Sequence, residues 1–213
     1  MQIKTKREYK KAIAKNNITI YESFLKKFPD CKYSKTVKDT LHTLYELNDW
    51  EKAKLSKAIA DYEYFISTYP NSKYQTKAKV ELVKAVEKKE FEDCMSSTDV
   101  QQLEFFLEKY PESYHTNAIK KRLAELKENQ EWAKAKKINT IVSYEEYLLH
   151  YPAGYHFIEA KYGIYELEEI LPEWEKAQKT NTETSYKNFI KKYPNCSFTA
   201  MAFEYLKKVQ LPK

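Results

Sequence analysis

The sequence predicts an all-α fold, an α-α superhelix (solenoid) of five helix-turn-helix repeats with a 41-residue period, forming a single domain over residues 1–213. Three observations carry that expectation. Five prolines, Pro29, Pro70, Pro111, Pro152 and Pro194, recur at intervals of 41, 41, 41 and 42, and each follows Phe or Tyr. Apolar and small residues keep the same period in six further columns, and within a copy these columns are spaced by three and four, the helical interval. Glycine occurs only twice, at Gly154 and Gly163, so the tight hairpins of a β fold have little material.

Residues 2–15 read as the tail of a long helix. Tyr9 and Ala12 stand where later copies carry Trp50 and Ala53, Phe91 and Cys94, Trp132 and Ala135, and Trp174 and Ala177. The copies then run near 17–57, 58–97, 98–138, 139–180 and 181–213. Each opens with a short helix whose apolar stripe falls eight and five residues before the proline: Tyr21 and Phe24, Tyr62 and Phe65, Leu103 and Phe106, Tyr144 and Tyr147, Tyr186 and Phe189. Thr98, Thr140 and Thr182 are the candidate N-caps of the last three short helices. Proline stops each one, because the residue before it is pushed out of the α region. After a polar turn comes a long helix, for instance about 115–137. It carries the columns Leu41, Leu82, Leu123, Ile164, Leu206 and, three residues on, Leu44, Ala85, Leu126, Leu167, Val209. The fourth copy holds one extra residue around Ile170-Leu171-Pro172, so its long helix is expected to kink or break near Pro172.

The second copy contains the phrase Tyr62-Glu-Tyr-Phe65-Ile-Ser-Thr-Tyr69-Pro70-Asn-Ser72-Lys-Tyr74-Gln-Thr-Lys-Ala78. It resembles the tetratricopeptide family, and most closely the bacterial repeats of outer-membrane-assembly lipoproteins and Tol-Pal-associated proteins. The resemblance covers the whole chain and implies helix-turn-helix stacking, but points to no ligand. Two departures are clear: the period is 41 rather than about 34, and the Leu-Gly pair of the first helix is absent. Seven additional residues are close to two helical turns, so a longer helix keeps its buried face in register.

Composition removes several functions. Two glycines cannot write a dinucleotide fingerprint or a phosphate loop. No catalytic group, metal site or cofactor is expected, since no Ser or Cys has an assignable base and the four histidines lack a ligand spacing. His115 and His156, equivalent in neighbouring copies, read as ordinary residues near turns. Cys94 replaces Ala in a small-residue column and reads as core; Cys31 and Cys196 share a turn position four copies apart, beyond disulfide reach. The net charge of +6 invites a nucleic-acid reading, but only Arg7 and Arg122 are arginines among 37 basic residues, and acidic stretches interrupt the basic ones. That is a poor match to bidentate phosphate and guanine recognition. Mean hydropathy is −0.78 and charged residues make up 32%, so no membrane span is expected. The start carries no secretory signal, which places the chain in the cytoplasm, or in the periplasm or envelope if a leader has been removed.

Function is therefore expected on a surface. Fourteen of the nineteen tyrosines lie in columns and read as packing; Tyr45, Tyr64, Tyr162, Tyr165 and Tyr205 remain as candidates for a partner surface. Three charge ladders keep the period: Glu22, Glu63, Glu104, Glu145; Lys38, Lys79, Lys120, Lys161; and Glu46, Glu87, Glu128, Glu169. They read either as a solvated face laced with inter-helix ion pairs or as a lysine row that recognises an acidic peptide. The same face carries Val80 and Val83 in the second copy and Ile158, Tyr162 and Tyr165 in the fourth. At the C-terminal end Lys187 interrupts the first ladder, and the apolar Phe203 and Leu211, with Met201 nearby, stand where the other two would continue. They either fold back onto the fourth copy or offer an apolar surface for self-association. The expected activity is a non-enzymatic protein–protein interaction scaffold or adaptor. The alternatives are an envelope-assembly adaptor and a nucleic-acid-binding solenoid.

Overall fold

The computed structural model describes residues 2–211, and every regular element among them is helical. In chain order these are α1 (Gln2–Lys15), α2 (Ile18–Lys27), α3 (Ser34–Ser56), α4 (Ile59–Thr68), α5 (Gln75–Ser96), α6 (Val100–Lys109), α7 (Thr116–Ile138), α8 (Ile141–His150) and α9 (Phe157–Tyr165). A π turn, Glu166–Ile170, joins α9 to α10 (Leu171–Thr180), and α11 (Glu183–Lys192) and α12 (Thr199–Gln210) follow. Each short helix packs on the long helix of its own copy, and within a unit also on the one before, as a helical repeat requires. The helices gather into two compact units, residues 1–97 and 98–213, divided at the border of the second and third copies.

The columns are the core. All ten residues of the short-helix stripe are buried, from Tyr21 and Phe24 to Tyr186 and Phe189. So are the small residues Ala12, Ala53, Cys94, Ala135 and Ala177; Ala12, Ala53, Ala135 and Ala177 let the next short helix of their unit approach closely. Each buried aromatic contributes about 1.5–3 kcal/mol of transfer free energy. Within the units, the residue that opens a long helix lies flat against the aromatic near the end of the preceding one. Tyr33 stacks on Tyr9 (4.1 Å between centroids), Tyr74 on Trp50 (5.3 Å), His156 on Trp132 (5.1 Å) and Phe198 on Trp174 (6.0 Å). His156 is thus part of a stack. Its ring nitrogens meet Glu159 and Asn129, and among the described residues no cluster of ligating side chains forms a metal site.

Scarcity of glycine forces other residues into left-handed helix ends. Asn16, Lys57, Asn139 and Asn181 all have φ between 41° and 53°. The three asparagines also accept a hydrogen bond from the tyrosine hydroxyl five residues on: Tyr21 (3.2 Å), Tyr144 (2.8 Å) and Tyr186 (2.9 Å). Thr140 and Thr182 cap α8 and α11 in reciprocal boxes with Ser143 and Ser185. Thr98 does not cap α6. That cap is Asp99, whose carboxylate accepts the Gln101 N–H at 2.9 Å, because Thr98 falls in the column of the left-handed residues.

The fourth long helix does not break at Pro172. Backbone from Phe157 to Thr180 stays helical, and the additional residue is absorbed in the π turn, where the Leu171 N–H reaches back to Glu166 O. Pro172 follows directly after the π turn, at the start of α10. At the other end Met201, Phe203 and Leu211 do not fold back; all three are exposed.

Candidate functional site on the long-helix face

Residues Ile158, Tyr162 and Tyr165 stand at i, i+4 and i+7 of α9, one stripe on the side away from its buried Ala160. Ile158 is 73% exposed, Tyr162 44% and Tyr165 46%. The two rings lie 6.3 Å apart at 48°, a tilted pair. Partial burial is the main reason the Tyr162 hydroxyl titrates above its usual value, with Glu166 adding to it. Lys161 lies beside the stripe, its ammonium 5.9 Å from the Phe157 ring. Behind the stripe Gly163 lies against Tyr144; a Cβ there would meet that ring at 2.7 Å, which sets how near α9 sits to α8.

At the Tyr162 and Tyr165 positions the first, third and fifth copies carry Asp39 and His42, Lys121 and Ala124, and Glu204 and Lys207. The second carries Val80 and Val83, exposed on α5 beside Lys79. The structure therefore places the valine pair in one unit and the tyrosine pair in the other. Lys38, Lys79, Lys120 and Lys161 are all exposed, and none is ion-paired. Phe203, on α12, occupies the position of Lys161 and is 48% exposed; Leu211 follows α12 and is also exposed.

Two of the remaining tyrosines are half-buried against the core. Tyr45 packs against the cluster around Trp50 and donates to Glu22, while Tyr205 lies edge-on to Trp174 at 5.7 Å. Tyr64 is exposed on α4. Conversely, Tyr114 and Tyr155, counted as packing from the repeat, project from the turns at 85% and 68% exposure. Their signal was present: other copies have Lys32, Lys73 and Ser197 there, polar residues that no core position would keep.

The second glutamate ladder is not a solvated face. Two of its members hold the turn of the following copy: Glu46 accepts the Ser72 hydroxyl, and the buried Glu128 accepts the Tyr147 hydroxyl (2.7 Å) and the Tyr155 N–H. Gly154 leaves room for this, since a Cβ there would stand 2.4 Å from Glu128 Oε1. Burial, reinforced by the Glu128 carboxylate, pushes the Tyr147 hydroxyl up to about 12. In the fourth copy the ladder shifts. Glu169 faces solvent, and Glu166 accepts the Ser197 N–H at 3.0 Å instead. Most surface ion pairs are local, such as Lys84 with Glu81; Lys127 with Glu104 (2.7 Å) joins two helices.

A scan against protein-family models finds no match to the chain, and a search of curated proteins finds none similar to it. What is defined is an all-α protein of consecutively packed helix pairs, with no helix among the described residues long and apolar enough to cross a membrane.

Proposed function

We propose that the protein is a non-enzymatic interaction scaffold of the tetratricopeptide-like kind, which binds a peptide or helix of a partner protein on the exposed face of its long helices. The observation that carries the reading is the tyrosine pair Tyr162 and Tyr165, held with Ile158 on a rigid helix where three other copies have polar or small residues. Aromatic rings bring large contact area at low conformational cost and are the usual anchors of such surfaces. Val80 and Val83 offer a smaller apolar contact of the same design, and the unpaired lysines would steer an acidic partner. Three free thiols, two of them partly exposed, fit a reducing compartment such as the cytoplasm.

The test compares capture of partners from a lysate of the source organism by the wild-type protein and by a Tyr162→Ala/Tyr165→Ala variant, with quantitative mass spectrometry. Anchors of about 1–2 kcal/mol each predict at least a roughly tenfold loss of the captured partner. The melting temperature should stay within about 2 °C, because both rings are nearly half exposed. Retained capture together with a large loss of stability would show that these rings are structural.

A further inference from the structure

Helix α8 is apolar on two opposite sides. Tyr144 and Tyr147 are buried beneath it, while Val142 (61% exposed) and Leu149 (78%) stand on the outer side, seven residues apart. Seven residues make close to two turns, so these side chains fall on one line, about 10 Å apart. At the Val142 position the other copies carry Thr19, Ala60, Gln101 and Thr184, and at the Leu149 position Lys26, Ser67, Glu108 and Lys191. All eight are exposed, so this side of a short helix is open in every copy, and the fold asks for no bulky apolar residue there. The preceding short helix, α6, packs on the same α7 within the unit 98–213 and adds Phe105, 61% exposed, at the position of Glu146.

The charge beside this line is one-sided. Glu145 and Glu146 flank it, one on each side, and Glu108 holds the position of Leu149 on α6. All three are exposed and have no ion pair among the described residues, whereas Glu104 is held by Lys127. Helix α8 has no Lys or Arg, and its His150 Nδ1 meets the Glu146 carbonyl at 2.8 Å. On α6 the single cation, Lys109, lies over the Phe105 and Tyr110 rings at 6.0 and 5.1 Å. We propose that the outer side of α8 docks a basic amphipathic helix of a partner protein. Its apolar stripe lies over Val142 and Leu149, with Phe105 at the margin, and its cations meet Glu145, Glu146 and Glu108. A helix fits because its own stripe recurs every two turns, as this pair does. The surface belongs to short helices, so the proposal does not rest on the Tyr162 and Tyr165 stripe of the long ones.

The test uses a fluorescein-labelled helix probe with Leu at i, i+3, i+4 and i+7 and Lys on the flanks. One control replaces Lys by Glu; the other keeps the composition and scatters the Leu residues round the helix. The whole chain carries +6, so long-range attraction alone would favour the acidic control. Fluorescence anisotropy with the full chain should instead show the basic probe binding at least about tenfold tighter than either control. Its affinity should fall about tenfold or more between 50 and 300 mM salt. Glu146→Lys/Leu149→Ser should abolish binding and keep the melting temperature within about 2 °C, since both residues are exposed. Tyr162→Ala/Tyr165→Ala should leave binding unchanged. A benzoylphenylalanine photocrosslinker in place of Glu145 should label the basic probe, a reading that does not depend on the charge-reversed variant. Equal binding of the basic probe and either control overturns the proposal, as does a missing crosslink, binding kept by Glu146→Lys/Leu149→Ser, or binding lost only in the tyrosine variant. Dimerisation of the chain in sedimentation velocity that the same variant breaks, with no probe binding, overturns it in favour of a second copy.

Discussion

Helix α7 and the helix running from α9 through the π turn to α10 carry the same columns and differ by one residue. The interval from Leu126 to Trp132 is six residues, and that from Leu167 to Trp174 is seven. Both flanks nevertheless reach equivalent neighbours. Leu167 packs against the Tyr144 and Tyr147 cluster, and Trp174 stacks on Phe198 as Trp132 stacks on His156. The wider π turn takes up the extra residue between them. The polar column pays the cost. Counted from Leu167, the counterpart of the buried Glu128 is Glu169, which is exposed; counted from Trp174 it is Ile170, which is buried. Glu166 takes over the backbone N–H of the next turn. The hydrophobic ends are thus the fixed points of a copy, and the carboxylate that fastens the next turn is reassigned around them.

The largest expected effect breaks this comparison directly. In a Pro172→Ala background, which removes the proline that a continuous α-helix would not accept, deleting Glu169 restores the 41-residue interval and should convert the π turn to ordinary α-helix, with a change in unfolding free energy of about 1 kcal/mol or less relative to that background. Deleting Lys127 from α7 has no π turn to draw on. It rotates everything beyond by roughly 100° and turns Trp132 and Ala135 away from α8, a loss of more than about 5 kcal/mol. Urea unfolding of the two deletions decides it. Equal losses would mean that the π turn is not where the additional residue is stored.

Next in size are the two tryptophans. Trp132→Ala and Trp174→Ala should each cost about 3–5 kcal/mol, since both rings are buried and each stands against two short-helix aromatics and a stacked turn residue. The two costs should agree within about 1 kcal/mol if the π turn delivers Trp174 to an equivalent site. Hydrogen exchange on Trp132→Ala should lose protection chiefly in helices α7 to α9, because helix pairs in a repeat are stabilised by their neighbours. A uniform loss over residues 2–211 would contradict that.

The helices and their buried columns were legible in the sequence because both signals repeat: an aromatic before proline and apolar residues at three and four recur five times. Single events were not legible. Pro172 pointed to a break, but nothing local distinguishes a kink from a π turn; the interval between Leu167 and Trp174 was the better guide. Glu128 looked like a solvated ladder residue because its partners, the Tyr155 N–H and the gap at Gly154, are brought to it only by the next copy. Tyr45 and Tyr205 looked surplus because their partners, Glu22 for one and Trp174 and Tyr186 for the other, lie well apart from them along the chain. Of the candidate surface, Ile158, Tyr162 and Tyr165 were readable as odd members of a polar column, and they are exposed.

The smallest effect concerns the helix ends and sharpens the same comparison at another point of the repeat. Asn16, Asn139 and Asn181 precede short helices that carry Tyr21, Tyr144 or Tyr186 in their first turn, and each accepts that hydroxyl. In the third copy, where Leu103 has no hydroxyl, the end of α5 is extended rather than left-handed, with Ser97 at φ −80°. The asparagine thus answers two demands, a positive φ and a buried hydroxyl. Asn139→Ala should cost about 1–2 kcal/mol, from left-handed strain and the lost hydrogen bond together. Asn139→Gly removes the strain and keeps only the loss of the bond, about 0.5–1 kcal/mol. In a Tyr144→Phe background Asn139→Ala should become cheaper by the value of the bond, because no hydroxyl is then left without its acceptor. Thermal unfolding of the four proteins closes the cycle. An unchanged cost of Asn139→Ala in the phenylalanine background would assign the whole effect to the backbone and none to the tyrosine.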